Sequence, residues 1–531
     1  MRRGVTALFF FGTLWLVLPA GGALAHGFGI RYDIPVPFWL YAYGAAAAVV
    51  LTFVLLVDTK PVPHRYPRYD LLRVGWFRAV FASRPFLFGL RLLSVATFSL
   101  VILSGLLGNQ APTDNLAPTL VWIIWWVGLA LLTAIAGNLW ELVNPWKIIF
   151  EWADGIARNL GSGKGLGPYL PYPQGLGVWP ALALYFGFAW VELVFLGSAI
   201  PSNIAVLALL YSAITWTGMA LFGKDAWLRG GEAFSVFFGI LARFAPTEVR
   251  VSDPATCKSC GASCRADDGE CVNCYECFTR AAPQDRQLNL RPPAVGLGRP
   301  EPVTTDRLVF VVFMLAIVTY DGLMATPLWL KVRTLAAPFV GMLGIPGLGS
   351  LYLIQTLGLI CVPLLFLTAY LGFVKLAQVF SGDAASSWRR FAAAYAFTLV
   401  PIALAYEAAH YYTLFLIQGQ AMIALVSDPF GLGWNLFGTA GYEINVGVVR
   451  ADVVWYSQVA LIVVGHVIAV YLAHGIALHL LQDQKRAVRS QYPMLALMVL
   501  YTVLSLWILN QPIVEATKIA SVVLDTGPSF G

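Results

Sequence analysis

The chain has 531 residues, of which 59% are hydrophobic and only 12% are charged, about half of the roughly 25% typical of soluble domains. Its 18 tryptophans and 33 phenylalanines add apolar surface that a soluble core cannot absorb and a lipid bilayer can, so the composition excludes a soluble protein. The formal net charge of +6 is spread over many short loops, so no nucleic acid is expected among the partners.

The N-terminus has the three-part layout of a secretory signal peptide. Two arginines precede an apolar run over residues 7–18 and a stretch of small residues that ends at Ala25. Because the apolar run is short, we predict a cleaved signal peptide over residues 1–25 rather than a first transmembrane helix. The mature chain would then begin at His26, whose amine and imidazole together suit copper.

Beyond the signal peptide, we predict an all-α fold, a polytopic bundle of about ten transmembrane helices. Ten apolar runs are long enough to cross the hydrocarbon layer of about 30 Å. They cover residues 37–57, 88–108, 119–137, 178–197, 203–223, 308–329, 351–374, 391–417, 454–480 and 494–509. The mature chain thus divides into helices 1–5 over 26–223, a Cys-rich loop over 224–305 and helices 6–10 over 306–531.

Charge predicts the orientation of the bundle. Alternate loops carry 25 of the Lys and Arg residues, whereas the remaining loops and the C-terminal tail carry five. By the positive-inside rule the 25 lie in the cytoplasm, and they fall in loops 58–87, 138–177, 224–305, 375–390 and 481–492. We therefore expect a multi-pass protein of the bacterial inner membrane with both mature termini periplasmic or extracellular.

Six of the seven cysteines lie within residues 257–277 of one predicted cytoplasmic loop, at Cys257, Cys260, Cys264, Cys271, Cys274 and Cys277. Cytoplasmic thiols stay reduced, so this Cys-rich segment predicts a metal site rather than disulfides. Two identities stay open. Cys257, Cys260, Cys271 and Cys274 match a zinc ribbon. The three cysteines from Cys271 onward match the opening of an iron–sulfur motif, whose fourth ligand would come from Cys257, Cys260 or Cys264.

Ionisable side chains inside apolar spans are costly, so each indicates a functional site. They are Glu192, Asp321, Glu407, His410, His466, His474 and His479. Glu407 and His410 share a helix face at a spacing that presents a carboxylate and an imidazole to a metal. We predict an outward-facing metal pocket of Glu407, His410 and Asp321, with His466, His26 or Asp33 as further ligands. The alternative is that these groups join helices as hydrogen-bonded polar contacts.

Trp140 and Trp146 flank Pro145 at the inner end of the third span, and we predict that they anchor this end at the membrane interface.

Several short motifs resemble those of bacterial membrane proteins catalogued as fenitrothion hydrolase-like. They are Ala25-His26-Gly27-Phe28-Gly29, Asp33-Ile34-Pro35-Val36-Pro37, Leu116-Ala117-Pro118-Thr119, Asn144-Pro145-Trp146, Leu170-Pro171-Tyr172-Pro173, Gly231-Glu232-Ala233-Phe234, Phe237-Phe238-Gly239, Arg243-Phe244-Ala245-Pro246, Asp321-Gly322, Ser427-Asp428-Pro429 and Arg486-Ala487-Val488-Arg489-Ser490-Gln491-Tyr492-Pro493. The resemblance spans nearly the whole mature chain. It implies a hydrolase of organophosphorus triesters, apolar small molecules that partition into membrane lipid.

Triester hydrolysis needs an activated hydroxide and a Lewis acid, which metal ions supply together. We therefore assign catalysis to Glu407, His410 and Asp321 around an unknown metal ion in the membrane core. One alternative function is a membrane redox protein, with an iron–sulfur cluster in the Cys-rich loop and haem or copper at His410 and His466. Another is a metal transporter or metal-delivery protein that senses metal through the cysteines.

Overall fold

The computed structural model describes residues 37–57, 66–161, 163, 165–256, 264, 269–298, 303–383, 387–481 and 483–511. The predicted signal peptide lies outside these residues, as do four side chains of the predicted sites, namely His26, Asp33, Cys257 and Cys260.

The fold is the predicted all-α bundle, with 74% of the described residues in helices. Within the described residues, nine apolar helices are long enough to cross a membrane, and a tenth, α4, is shorter. In chain order these are α1 (Phe38–Leu56), α2 (Arg84–Leu107), α3 (Leu116–Ala136), α4 (Trp179–Leu193), α5 (Pro201–Phe222), α6 (Thr305–Met324), α7 (Leu348–Ser381), α8 (Trp388–Gln418), α9 (Ala451–Leu480) and α10 (Gln484–Leu509). Each corresponds to one predicted run, so the multi-pass architecture is confirmed.

Polar residues begin several of these helices. The side chains of Ser83, Asn115 and Asp483 accept hydrogen bonds from backbone N–H groups in the first turns of α2, α3 and α10. Pro201 occupies the first turn of α5, where its missing N–H leaves no bond unmade. The caps start α2 and α3 within four residues of the predicted runs, whereas α10 starts at Gln484, ten residues before its predicted run.

The bundle is built around α6 and α8. In their most apolar windows 78% and 83% of the residues are buried, against 6% for α2, which therefore turns most of its surface to lipid. Helix α8 packs against α6 and α9, and α10 packs against α7, α9 and α1. Charged groups on the inward faces of α6 and α8 therefore lie at the centre of the protein.

Chain segments predicted to lie on one side of the membrane do lie together. At one end, Lys224 contacts Glu151, the Thr247 hydroxyl donates to the carbonyl of Ala136, and Gln484 donates to the carbonyl of Val57. We call this end the cysteine side. At the opposite side, the loop after α2 bonds to the loop before α9, with Asn109 N–H donating to Phe430 O and Leu116 N–H to Pro429 O.

A small antiparallel sheet covers the cysteine side. Its strands are β1 (Tyr69–Asp70), β2 (Thr247–Val251), β3 (Cys271–Val272) and β4 (Arg286–Leu290), in the order β1-β4-β2-β3. Strand β1 comes from the loop between α1 and α2, so the cysteine-side domain includes residues outside the predicted 224–305 segment.

Shorter helices complete the described chain. Pro327–Met342, which the apolar runs did not predict, connects α6 to α7. The others are Gly75–Phe81, Trp140–Val143, Pro145–Leu160, Lys224–Gly230, Ala233–Leu241, Tyr275–Arg280 and Ala421–Leu425, with 3-10 turns at Leu71–Arg73, Gln174–Leu176, Pro283–Asp285, Val295–Leu297 and Val446–Val448.

Candidate functional site

Four cysteines converge at the edge of the cysteine-side sheet. The Sγ atoms of Cys264, Cys271 and Cys274 all lie within 4.8 Å of one another, and Cys277 forms a hydrogen bond with Cys274. Cys271 belongs to β3, and Cys277 lies in the helix Tyr275–Arg280. The strand, the turn after it and the first turn of the helix thus place Cys271, Cys274 and Cys277, each separated from the next by two residues, in one group with Cys264. This group can bind a metal.

The thiols of this group are set up to carry negative charge. Hydrogen bonds from Cys264 and then Cys271 hold the pKa of the Cys274 thiol well below its usual range. Cys271, Cys274 and Cys277 are buried against Val251 of β2 and Ala281. Because a thiolate rather than a thiol is a metal ligand, this environment favours metal binding.

The structure shows which of the predicted cysteine ligands lie together. Cys264, Cys271, Cys274 and Cys277 come together, whereas Cys257 and Cys260 lie outside the described residues. Cys361 lies on α7 and is exposed on the surface of the bundle.

A buried ion network supports the sheet beside the cysteines. The Glu248 carboxylate contacts Arg250 at 2.5 Å and Arg291 at 2.6 Å, and its side chain is fully buried. Burial alone would lower the pKa of Arg250, but the adjacent charge of Glu248 raises it above its usual value. Arg250 also bonds to Glu270, the residue before Cys271. The network therefore fixes the backbone from which the thiols project.

The helix that carries Cys277 docks directly on the membrane bundle. Tyr275 forms a side-chain hydrogen bond with Asn138, and burial followed by the charge of Glu141 raises the pKa of the Tyr275 hydroxyl. The Arg229 guanidinium donates to Glu276 at 2.5 Å. The thiol group therefore lies one residue from the contact surface with the bundle.

An aromatic cluster begins two residues after Asn138 and extends into the bundle. The ring centroids of Trp140 and Trp125 are 5.7 Å apart, and those of Trp125 and Trp126 are 6.2 Å apart. Trp140 and Trp146 are 2% and 5% exposed, so the prediction that they anchor the chain at the lipid interface is wrong. Their partners are other rings, among them Phe234 and Phe238.

Part of α3 is a π-helix over Thr119–Gly128, which contains Trp125 and Trp126. Helices of this kind are rare and often occur at functional sites. The indole N–H of Trp126 donates to the carboxylate of Glu192 on α4. The aromatic cluster thus reaches from the cysteine side to an ionisable group inside the bundle.

Asp321 on α6 holds two residues of α8. His410 Nε2 lies 2.9 Å from Asp321 Oδ2, and the Tyr411 hydroxyl donates to the same oxygen at 2.5 Å. The His410 ring also stacks on Tyr406, at 6.0 Å between the ring centroids. Two of the three predicted catalytic residues are therefore in direct contact.

Glu407, the third predicted catalytic residue, is 5% exposed and interacts electrostatically with Asp321. Glu192 interacts with both of these carboxylates. Glu407 Oε1 is buried and has no hydrogen-bond partner among the described residues. Three carboxylates from three helices therefore interact inside the bundle, two of them buried and that of Glu192 half-buried. We call Glu192, Asp321 and Glu407 the carboxylate cluster.

The carboxylate cluster is not assembled like a metal site. Among the described residues, only Cys264, Cys271 and Cys274 form a group of three His, Cys, Asp or Glu side chains whose ligand atoms all lie within 4.8 Å of one another. The other predicted ligand, His466, is fully buried on α9, with Nδ1 2.8 Å from the carbonyl of Ile462. His474 lies nearer the cysteine side, and its Nδ1 lies 3.0 Å from Oε1 of Gln491.

Sequence reasoning missed the roles of Tyr411 and Trp126. Neither is charged, and both lie in spans rich in aromatic residues, so no local pattern separates them from other core residues. The carboxylates with which they bond were recognisable because charge is rare in these spans.

Comparison with models of known families, with characterised proteins and with solved structures finds no match for this chain.

Proposed function

We propose that the protein transfers electrons at a bacterial inner membrane and that Cys264, Cys271, Cys274 and Cys277 hold an iron–sulfur cluster. The convergence of these four thiols carries the proposal. The charge bias of the loops supports a cytoplasmic position for the cysteine side, where thiols stay reduced and available to a metal.

The spacing of the ligands favours iron–sulfur over zinc. Cys271, Cys274 and Cys277 are separated by two residues each, as in the bacterial iron–sulfur motif, and Cys264 supplies the fourth ligand. A zinc ribbon uses two separate Cys-x2-Cys pairs and would leave Cys264 and Cys277 without a role. In this structure both belong to the group.

The position of the cysteines supports electron transfer rather than a purely structural role. Tyr275, next to Cys274, contacts Asn138, and the aromatic cluster that begins at Trp140 leads from there into the bundle. Closely packed rings shorten the tunnelling distance between a surface centre and the membrane interior. A soluble reduced carrier on the cysteine side would give one electron to the cluster and become oxidised. The reduced cluster would pass that electron through the bundle to an oxidised acceptor in the membrane and return to its oxidised state.

Optical absorbance of anaerobically purified protein tests this proposal. We expect broad visible absorbance that bleaches with dithionite and is lost in Cys264→Ser. The matched control is Cys361→Ser, which removes a cysteine outside the group. A colourless wild-type protein that contains zinc would overturn the proposal.

A second function, hydrolysis of an organophosphorus triester, is favoured by one contact. A carboxylate that orients an imidazole, as Asp321 does for His410, is an arrangement used for general-base catalysis. Its position in the apolar core suits a substrate that partitions into lipid. Release of a chromogenic leaving group from such a triester, lost in His410→Ala and Asp321→Asn, would support this function. Full activity in both variants would refute the assignment of these residues.

A further inference from the structure

The carboxylate cluster gathers three acidic side chains inside the bundle. Glu192 on α4, Asp321 on α6 and Glu407 on α8 interact electrostatically with one another. In a medium of low dielectric constant, like charges at such range repel strongly, and each ion also loses its hydration. Binding of a cation or a proton would relieve this repulsion.

Hydrogen-bond donors are distributed unequally among the three carboxylates. Asp321 is bonded to the Tyr411 hydroxyl and to His410, and Glu192 accepts the indole N–H of Trp126. These bonds stabilise an ionised carboxylate. Glu407 is 5% exposed, and its Oε1 has no partner among the described residues. Glu407 is therefore the member of the cluster whose charge is least stabilised.

The geometry favours a proton over a metal cation. A metal ion needs several ligand atoms around one point, and the carboxylate cluster provides no three within 4.8 Å of one another. A proton needs one oxygen. The buried, unpartnered carboxylate oxygen of Glu407 meets that need without any movement of the helices.

Buried polar atoms without partners in the described part of the chain also lie along α9, between its middle and the cysteine side. His466 Nδ1 bonds to the carbonyl of Ile462, and its buried Nε2 has no partner among the described residues. His466 lies next to Gly465, where α9 packs closely on α8, since a Cβ added there would lie 2.3 Å from the Cβ of Ala405. His474 Nε2, two turns further along α9, is likewise buried and unpartnered.

Buried polar atoms without protein partners are where internal water binds. Glu407 lies in the half of α8 away from the cysteine side, His466 lies near the middle of α9, and His474 lies nearer the cysteine-side end of α9. Chains of acidic and imidazole groups linked by water conduct protons in membrane proteins.

Other titratable groups lie on the elements around Glu407. Helix α4 carries Glu192 and Tyr185, and α6 carries Asp321, all of which interact electrostatically with Glu407. Helix α9, which packs against α8, carries His466, and α8 itself carries Tyr406, His410 and Tyr411. The π-helix Thr119–Gly128 and the helix Ala233–Leu241, which also pack against α8, contain no Asp, Glu, His, Lys, Arg, Cys or Tyr.

We propose that Glu407 is a reversible proton-binding site inside the membrane and that it exchanges protons with the cysteine side through His466 and water. The site requires no metal, so this inference goes beyond the proposed electron transfer and does not rest on it.

Infrared difference spectroscopy of the purified full-length protein tests the inference directly. We expect the C=O stretch of a protonated carboxyl group at pH values at which an exposed glutamate, of pKa about 4.3, is ionised. The band should disappear in Glu407→Gln and shift in Glu407→Asp. Asp452→Asn, at an exposed ion pair with Arg450, is the control and should leave the band unchanged. A wild-type protein without the band, or a Glu407→Gln variant that keeps it, would overturn the inference.

Dicyclohexylcarbodiimide provides a second readout, because it adds to a protonated buried carboxyl group to give a stable N-acylurea that mass spectrometry locates. We expect the adduct on Glu407, at a rate that falls as the pH rises and does not change when sodium replaces N-methylglucamine. Protection by sodium at constant pH would show a cation site and contradict the inference. His466→Ala should slow the band's response to a pH jump severalfold, and an unchanged rate would refute the route.

A cysteine variant distinguishes failure of the proposed iron–sulfur cluster from failure of the proposed proton site. Cys264→Ser should abolish the visible absorbance and leave the carboxyl band of Glu407 in place.

Discussion

Nε2 of His410 lies 2.9 Å from Oδ2 of Asp321, and this contact joins α8 to α6 at the centre of the bundle. The Tyr411 hydroxyl donates to the same oxygen, so one carboxylate fixes two consecutive residues of α8. These two bonds hold the preceding turn of α8, which carries Glu407, in position within the carboxylate cluster.

Removal of the Asp321 carboxylate should therefore destabilise the protein. Asp321→Ala leaves His410 and Tyr411 without their acceptor, and each buried polar group left unsatisfied costs about 1–3 kcal/mol. Asp321→Asn keeps an acceptor oxygen and should cost less. Thermal unfolding in detergent would measure both, and equal melting temperatures for the two variants would contradict this role of the contact.

The close packing of α9 on α8 at Gly465 leads to a second prediction. At Gly465 a Cβ would lie 2.3 Å from the Cβ of Ala405 and 2.8 Å from the carbonyl oxygen of Pro401. Gly465→Ala should therefore separate the helices at a cost of about 1–3 kcal/mol, the usual range for overpacking. A Cβ at Gly475, on the same helix, would meet nothing within 4 Å.

Gly475→Ala is thus a matched control for Gly465→Ala. We expect it to be neutral or to stabilise α9 slightly, because alanine is a better helix former than glycine. Thermal unfolding curves that coincide for the two variants would show that the close approach does not matter.

The sequence could identify site residues whose type is rare in their surroundings, such as a charged residue in an apolar span. It could not identify residues whose role depends on contacts with distant parts of the chain. Asp321, Glu407 and Glu192 stand out because each is charged within an apolar span, and the structure brings them together. The choice of Cys264 as the fourth thiol depends on how β3 and the following turn fold. Strand β1 pairs with β4, more than 200 residues later in the chain, and no local pattern encodes that pairing.

The aromatic cluster illustrates the same limit. Trp140 and Trp146 have the composition of an interface anchor, yet both are buried against rings from the helix Ala233–Leu241. A tryptophan near the end of a span packs equally well against lipid headgroups or against protein. Only the position of the neighbouring helices decides between these outcomes.

The buried ion network predicts that the cysteine-side sheet depends on Glu248. Its side chain and that of Arg291 are fully buried, so Glu248→Gln would leave two arginines without their shared counter-ion. Breaking a buried pair in this way costs about 3–5 kcal/mol. Hydrogen exchange of the backbone amides in β2 and β4 should accelerate.

Arg73→Gln is the control for this variant, since the Arg73 side chain is 78% exposed and lies 3.7 Å from Asp70. An exposed pair contributes less than about 1 kcal/mol, so exchange in the sheet should not change. Equal protection of β2 and β4 in Glu248→Gln and wild type would refute the proposed support of the cysteines by this network.

The contact between Tyr275 and Asn138 should govern how firmly the thiol group is attached to the bundle. Tyr275→Leu removes the hydrogen bond and should increase amide exchange throughout Tyr275–Arg280. Arg229→Gln, which removes only the exposed ion pair with Glu276, should have little effect. If Arg229→Gln had the larger effect, the attachment would depend on that ion pair instead.

The central proposal is tested most directly on anaerobically purified protein. The iron and acid-labile sulfide contents are measured, and an electron paramagnetic resonance spectrum is recorded after reduction with dithionite. We predict iron and sulfide in equal amounts and a reduced-cluster signal in wild type and Cys361→Ser, and loss of all three in Cys274→Ser and in a variant that lacks residues 257–277. Zinc in place of iron, with no signal in the reduced wild-type protein, would contradict the account.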